Sequence, residues 1–165
     1  MAGLVPEAAS ELDQADAIAR EHRFSCIFED SRVQLTRTDL FLAQGRFEDA
    51  RRVLEPIVLR IRDPKGEQGN LLSRALLLSA RLAAGQGRYP DAARLAGEAL
   101  RENERRARNP AVSADVGEAA LLLAQDKRAL GDQRGMQAAV QQAVVSLTAS
   151  LGVNSPLTRD AMSLQ

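Results

Sequence analysis

The sequence holds no tryptophan, one tyrosine (Tyr89) and four phenylalanines in 165 residues, so its core must be built from aliphatic side chains. One cysteine, Cys26, excludes an internal disulfide and fits a reducing, cytoplasmic compartment. One histidine, His22, excludes metal sites that need two. Lysine plus arginine is 22 and aspartate plus glutamate is 22, which leaves no formal net charge. The cationic surplus that would hold phosphates is missing, so nucleic acid is not an expected partner. The densest apolar runs, "ALLL" at 75–78 and "AALLLA" at 119–124, are too short to span a bilayer. The opening "MAGLVPEAAS" has no basic segment followed by a long apolar one, so neither a signal peptide nor a membrane partner is expected. No sustained alternation of Val, Ile and Thr predicts a strand anywhere.

What the chain does have is alanine and leucine, both good helix formers. It also has a repeat. Gly45, Gly87 and Gly131 head three comparable segments, spaced 42 and 44 residues apart. "AQGRFEDARRVLEPI" begins at Ala43, and "AGQGRYPDAARLAGEAL" begins at Ala84. The third copy is weaker, with Gln133 in place of the aromatic and Met136 in place of the small alanine at 50 and 92. After each glycine the apolar residues recur at helical spacing, as in Phe47, Ala50, Val53, Leu54, Ile57, Val58 and Ile61. Before each glycine, roughly 28–44, 70–86 and 113–130 are also helical in pattern. Each glycine should therefore end a helix at positive φ. Two helices of about 17 residues, roughly 26 Å each, and two loops fill one period. The predicted class is all-α.

Punctuation agrees. "DPKGEQGN" at 63–70 and "RNPAVSAD" at 108–115 read as loops between units. Pro90 opens a helix, while Ser155 and Pro156 read as the cap and first residue of a closing helix at 156–165. Pro56 lies inside a helix and should kink it.

These residues resemble the tetratricopeptide (TPR) superfamily, in which a Gly-x-aromatic-x-x-Ala turn links an antiparallel helix pair. The 42-residue spacing and "LGVNSPLTRDA" are similar to the long repeats of kinesin light chains and bacterial regulators. The resemblance implies one domain over 1–165: helix pairs at 28–62, 70–107 and 113–150, stacked as a right-handed α-solenoid. A leading helix at 6–24 and a capping helix at 156–165 would flank them. In the family, the first helix of each pair lines a concave groove. By offset from the turn glycines, the groove positions here are Arg32, Leu35, Thr36 and Asp39, then Arg74, Leu77, Leu78 and Arg81. The third unit supplies Glu118, Leu121, Leu122, Gln125 and Arg128. Leucines and arginines at matching places suit a protein or peptide with acidic character.

No chemistry assembles beside this. His22 and Cys26 stand four apart, which permits a thiolate–imidazole pair, yet "EHRFSCIFED" carries no nucleophile signature and a structural thiol explains it. "GQG" at 85–87 and "GDQRG" at 131–135 lack the strand and the Lys-Ser/Thr of a phosphate loop. In "RENERRARN", Glu102 precedes Arg106 and Glu104 precedes Arg108 by four, the spacing of helix-surface ion pairs. No cofactor, metal or catalytic residue is expected. The reading is a non-enzymatic protein-interaction module. Its rivals are a ligand-sensing domain of a larger bacterial transcription regulator or kinase, and a scaffold that self-associates through its ends. The stretch "LTRTDLFLAQGRFEDARRVLEPI" is similar to the helical-repeat domain of maltose-regulator-type activators, which supports the first rival.

Overall fold

The computed structural model describes residues 10, 11, 14, 17, 27–61 and 69–165, and from Ile27 onward the described residues form seven α-helices and one 3-10 turn. The helices are α1 (Ile27–Ala43), α2 (Phe47–Ile61), α3 (Gly69–Gly85) and α4 (Tyr89–Arg106). After the 3-10 turn Pro110–Val112 come α5 (Ala114–Ala129), α6 (Gln133–Leu151) and α7 (Pro156–Met162). No strand occurs among the described residues. The leading helix predicted at 6–24 falls outside them, apart from helical positions 10, 11, 14 and 17. His22, Cys26 and most of the loop at 63–70 lie outside them too. The chain divides into two compact units, up to Leu78 and from Ser79 onward, with the boundary inside α3.

The repeated motif is a turn. Gly45, Gly87 and Gly131 have φ of 70°, 74° and 73°, a region that costs glycine no Cβ clash. In each turn the glycine N–H reaches back to the carbonyl three residues earlier, and the next N–H to the carbonyl five earlier. Arg46 N donates to Phe41 O at 2.8 Å, Arg88 N to Ala83 O at 2.9 Å, and Asp132 N to Lys127 O at 3.0 Å. This paired closure satisfies carbonyls that a helix end otherwise leaves open. The following helix then starts at once, with Ala50, Ala92 and Met136 N–H donating to Arg46, Arg88 and Asp132 O.

The Gly-Arg-aromatic-x-Asp string explains itself here. Arg46 donates to Asp49 Oδ2 (2.8 Å) and Gln44 Oε1 (3.4 Å). Arg88 repeats the clamp on Asp91 (2.9 Å) and Gln86 (2.7 Å). In the third turn Asp132 replaces the arginine and caps α6 itself. Its Oδ1 accepts from Gly135 N at 2.9 Å and its Oδ2 from Lys127 Nζ at 2.8 Å. Those two bonds hold the Asp132 carboxyl below the usual carboxylate range. The weak third copy is a different solution to the same turn.

Behind the turns the core is small and aliphatic. Ala50, Leu54, Ile57 and Ile61 are buried on α2, and Ala92, Ala93, Ala96, Ala99 and Leu100 on α4. Alanines let helix axes approach closely, and Gly117 takes this furthest, on α5 against α6 at Leu147. Asn103 fastens the end of α4 to the start of α5, its Nδ2 donating to Asp115 O at 2.8 Å. Pro56 does not break α2. It lies on the exposed side with Arg52, the residue whose carbonyl loses its helical donor to the proline. Ser155 occupies the cap position of α7, but its hydroxyl makes no capping bond, and the helix is closed instead by Arg159 N donating to Ser155 O.

Candidate partner-binding surface

In the first unit, the first-helix face presents Arg32, Thr36 and Asp39, spaced four and three residues apart on α1. Arg32 and Thr36 are exposed, and the Thr36 hydroxyl donates to Arg32 O at 3.0 Å. Asp39 receives Arg74 of α3, Nη2 to Oδ2, at 2.9 Å. In the second unit an ion pair again joins first helices, one helix pair later and with acid and base exchanged. Arg81 of α3 meets Glu118 of α5, Nη2 to Oε1, at 2.9 Å. Gln125, two turns beyond Glu118, is exposed, as is Arg128.

Two of the four arginines singled out in the sequence, Arg74 and Arg81, are therefore bound to acids singled out with them. Each pair bridges the first helices of successive helix pairs within its own unit. Side-chain exposure is 49% for Arg74 and 37% for Arg81, so solvent screens both pairs. Such pairs contribute about 0–1 kcal/mol to stability.

The leucines differ from expectation. Leu35, Leu77, Leu78 and Leu121 are buried and belong to the core, so they do not line an apolar groove. Leu122 alone is half-buried. Burial of a leucine side chain contributes about 1.5–3 kcal/mol to folding. The exposed faces that remain are polar and of mixed charge.

Two features escaped the sequence reading. Asp126 on α5 is only 2% exposed, and its Oδ2 has no hydrogen-bond partner. Burial pushes its carboxyl up to about 7. Nothing in its local sequence marks it, since "AQDKRAL" reads as a solvated helix end. The second is a cleft of about 340 Å³ between the 3-10 turn and α6. On the outer face of α4 the expected pairs Glu102–Arg106 and Glu104–Arg108 are not formed, because Glu102 is taken by Arg105 one residue closer and Glu104 accepts from Gln142 Nε2 at 2.6 Å. Arg105 binds Glu102 at 2.7 Å and holds that carboxyl below its ordinary range. No cluster of three or more His, Cys, Asp or Glu able to hold a metal occurs among the described residues. Among them, no helix is long and apolar enough to cross a membrane.

The crystal structure of BtubC (BKLC) from P. vanneervenii superposes on this chain with a TM-score of 0.71 at 18% identity. The match covers 95% of this chain and 61% of that one, so the chain spans less than two thirds of the neighbour's length. The fold is that of a TPR-like helical repeat protein. No family model matches the sequence, and no curated protein does so either.

Proposed function

We propose that the chain is a non-enzymatic protein-interaction module, engaging a protein or peptide partner on the exposed faces of its first helices. The observation that carries this reading is the pair of ion bridges, Arg74–Asp39 and Arg81–Glu118. Helices α1, α3 and α5, each closed at its C-terminal end by a hydrogen-bonded glycine turn, hold these side chains in place. Each arginine is half-exposed and its acid is replaceable, so a carboxylate on the partner can take the guanidinium from Asp39 or Glu118. Exposed Arg32 in one unit and Arg128 in the other add cationic character for an acidic partner. Charge-assisted bonds of this kind contribute about 1.5–3 kcal/mol where the partner excludes water. The TPR-like fold supports the same reading, because stacked helix pairs present extended faces.

The test uses glutamine, since glutamate at 74 or 81 would face Asp39 or Glu118 and add repulsion. The double variant Arg74→Gln/Arg81→Gln should bind the partner recovered with the native chain about tenfold or more weakly. Arg105→Gln/Arg106→Gln on the outer face should change affinity by less than about threefold. Equal losses from both doubles in an isothermal titration would reject the first-helix site.

A further inference from the structure

Helix α6 differs from the helices that hold its place in the other pairs. The outer faces of α2 and α4 carry ladders of opposite charge: Arg51 with Glu48 and Glu55, Arg94 with Glu98, Arg105 with Glu102. Over its 19 residues α6 has one charged side chain, Arg134, and no acid. Its outward positions are Arg134, Ala138, Gln141, Val145 and Ala149, spaced three or four apart so that they share one stripe. Val145 is 52% exposed, and so is Val112 on the 3-10 turn.

The stripe does not lie on a flat surface. Pro110 and Ala111 form one wall of the cleft, while Ala138, Gln142 and Val145 form the other. That wall is fixed. Ser146 Oγ donates to Pro110 O at 3.1 Å, Asn109 caps the turn through Ala111 N, and Ser113 caps α5 through Val116 N. Gln142 Nε2 donates to Glu104 Oε1 at 2.6 Å, which occupies the nearest acid. The floor is thus apolar with two amide groups, preformed and open.

Charge around it is mainly positive, the carboxylate of Glu104 being hydrogen-bonded to Gln142. Arg134 stands one turn before Ala138 on the stripe. Arg108 stands two residues before Pro110, and Arg101 three residues before Glu104 on α4. All three are exposed, and none forms an ion pair among the described residues. An apolar cleft whose flanking segments carry three arginines outside any ion pair complements a ligand with apolar side chains on one side and carboxylates beside them.

We propose that the outer face of α6 and the 3-10 turn form a second docking surface, for an acidic amphipathic helix of a partner protein. Apolar side chains of that helix, at three- and four-residue spacing, would run along Ala138, Val145 and Val112. Its carboxylates would meet Arg134, Arg108 and Arg101. The surface uses none of the first-helix residues, so it stands or falls separately from the site above.

The probe is a synthetic helical peptide of leucine, alanine and glutamate with its leucines at helical spacing, beside a version with lysine for every glutamate. Each is titrated into the isotopically labelled full chain and followed by backbone amide shifts. The glutamate peptide should shift resonances of α6 and of 110–112, and the lysine peptide should bind at least about tenfold more weakly. Arg108→Glu/Arg134→Glu should weaken the glutamate peptide by about tenfold or more, and Val145→Glu should do so independently, with helicity unchanged by circular dichroism. Equal binding of both peptides would overturn the proposal. So would shifts confined to α1, α3 and α5, or self-association of the native chain that Val145→Glu abolishes, which would make the occupant a second copy.

Discussion

Gly117→Ala is expected to destabilise the fold by about 1–3 kcal/mol, and Leu147→Ala by about 2–5 kcal/mol. The two substitutions act on one contact from opposite sides. A Cβ on Gly117 would sit 2.5 Å from Leu147 Cγ, 2.8 Å from Cδ2 and 3.1 Å from the backbone nitrogen. Flexible side-chain ends can move, but a branch carbon and a main-chain nitrogen cannot without shifting α6. Alanine gains about 1 kcal/mol over glycine as a helix former, which offsets part of the overlap and sets the lower bound. Leu147 is fully buried, so shortening it leaves a cavity beside the glycine. The double variant is the sharper measurement. The alanine methyl at 117 enters space that Leu147 has vacated, so the double should be at least about 1 kcal/mol more stable than the sum of the singles. Urea unfolding of all four proteins measures this. Strict additivity would mean that α5 and α6 are not in contact at that crossing.

The second large effect is at Asp126, and its sign is unusual for an acid. The folded carboxyl titrates near 7, above its ordinary value of 3.8, because burial opposes the charged form. Between those values the folded chain holds a proton that the unfolded chain has lost, so stability falls as pH rises. A shift of about three units corresponds to about 4 kcal/mol at most. Asp126→Asn keeps the shape without the charge, so it should exceed the native chain by about 2–4 kcal/mol at pH 8 and by less than about 1 kcal/mol at pH 4.5. Glu102 and Asp132, both lowered, act oppositely, and their contribution is lost only as pH falls below the ordinary carboxylate range. Their effect cancels between the two proteins. A gain that is the same at both pH values would show that Asp126 is not buried as a carboxylate.

The helical class and the three turns were readable because glycine at positive φ and apolar spacing are local signals. Gly45, Gly87 and Gly131 each stand at the position where backbone geometry admits little else. The first-helix residues were harder. Offset from the turn places Arg74 and Arg81 on the same helix face, but only the packed helices reveal that Asp39 and Glu118 hold them. Leucine spacing alone could not separate core from groove, since burial depends on how neighbouring helices pack, which is not local in the sequence. Asp126 was invisible for the same reason. The cleft beside Val145 was foreshadowed only by what α6 lacks, the alternating charges that α2 and α4 carry.

A photo-crosslinking side chain placed at Gln125, on the exposed first-helix face, and separately at Arg105, on the outer face of α4, tests where a partner protein lies. Both positions are exposed and neither supports the core, so both variants should fold as the native chain does. In the presence of the partner recovered with the native protein, the variant at 125 should form a covalent adduct. That adduct should be lost when Arg74 and Arg81 are changed to glutamine, and the variant at 105 should form little. Crosslinking at 105 with none at 125 would contradict the first-helix site.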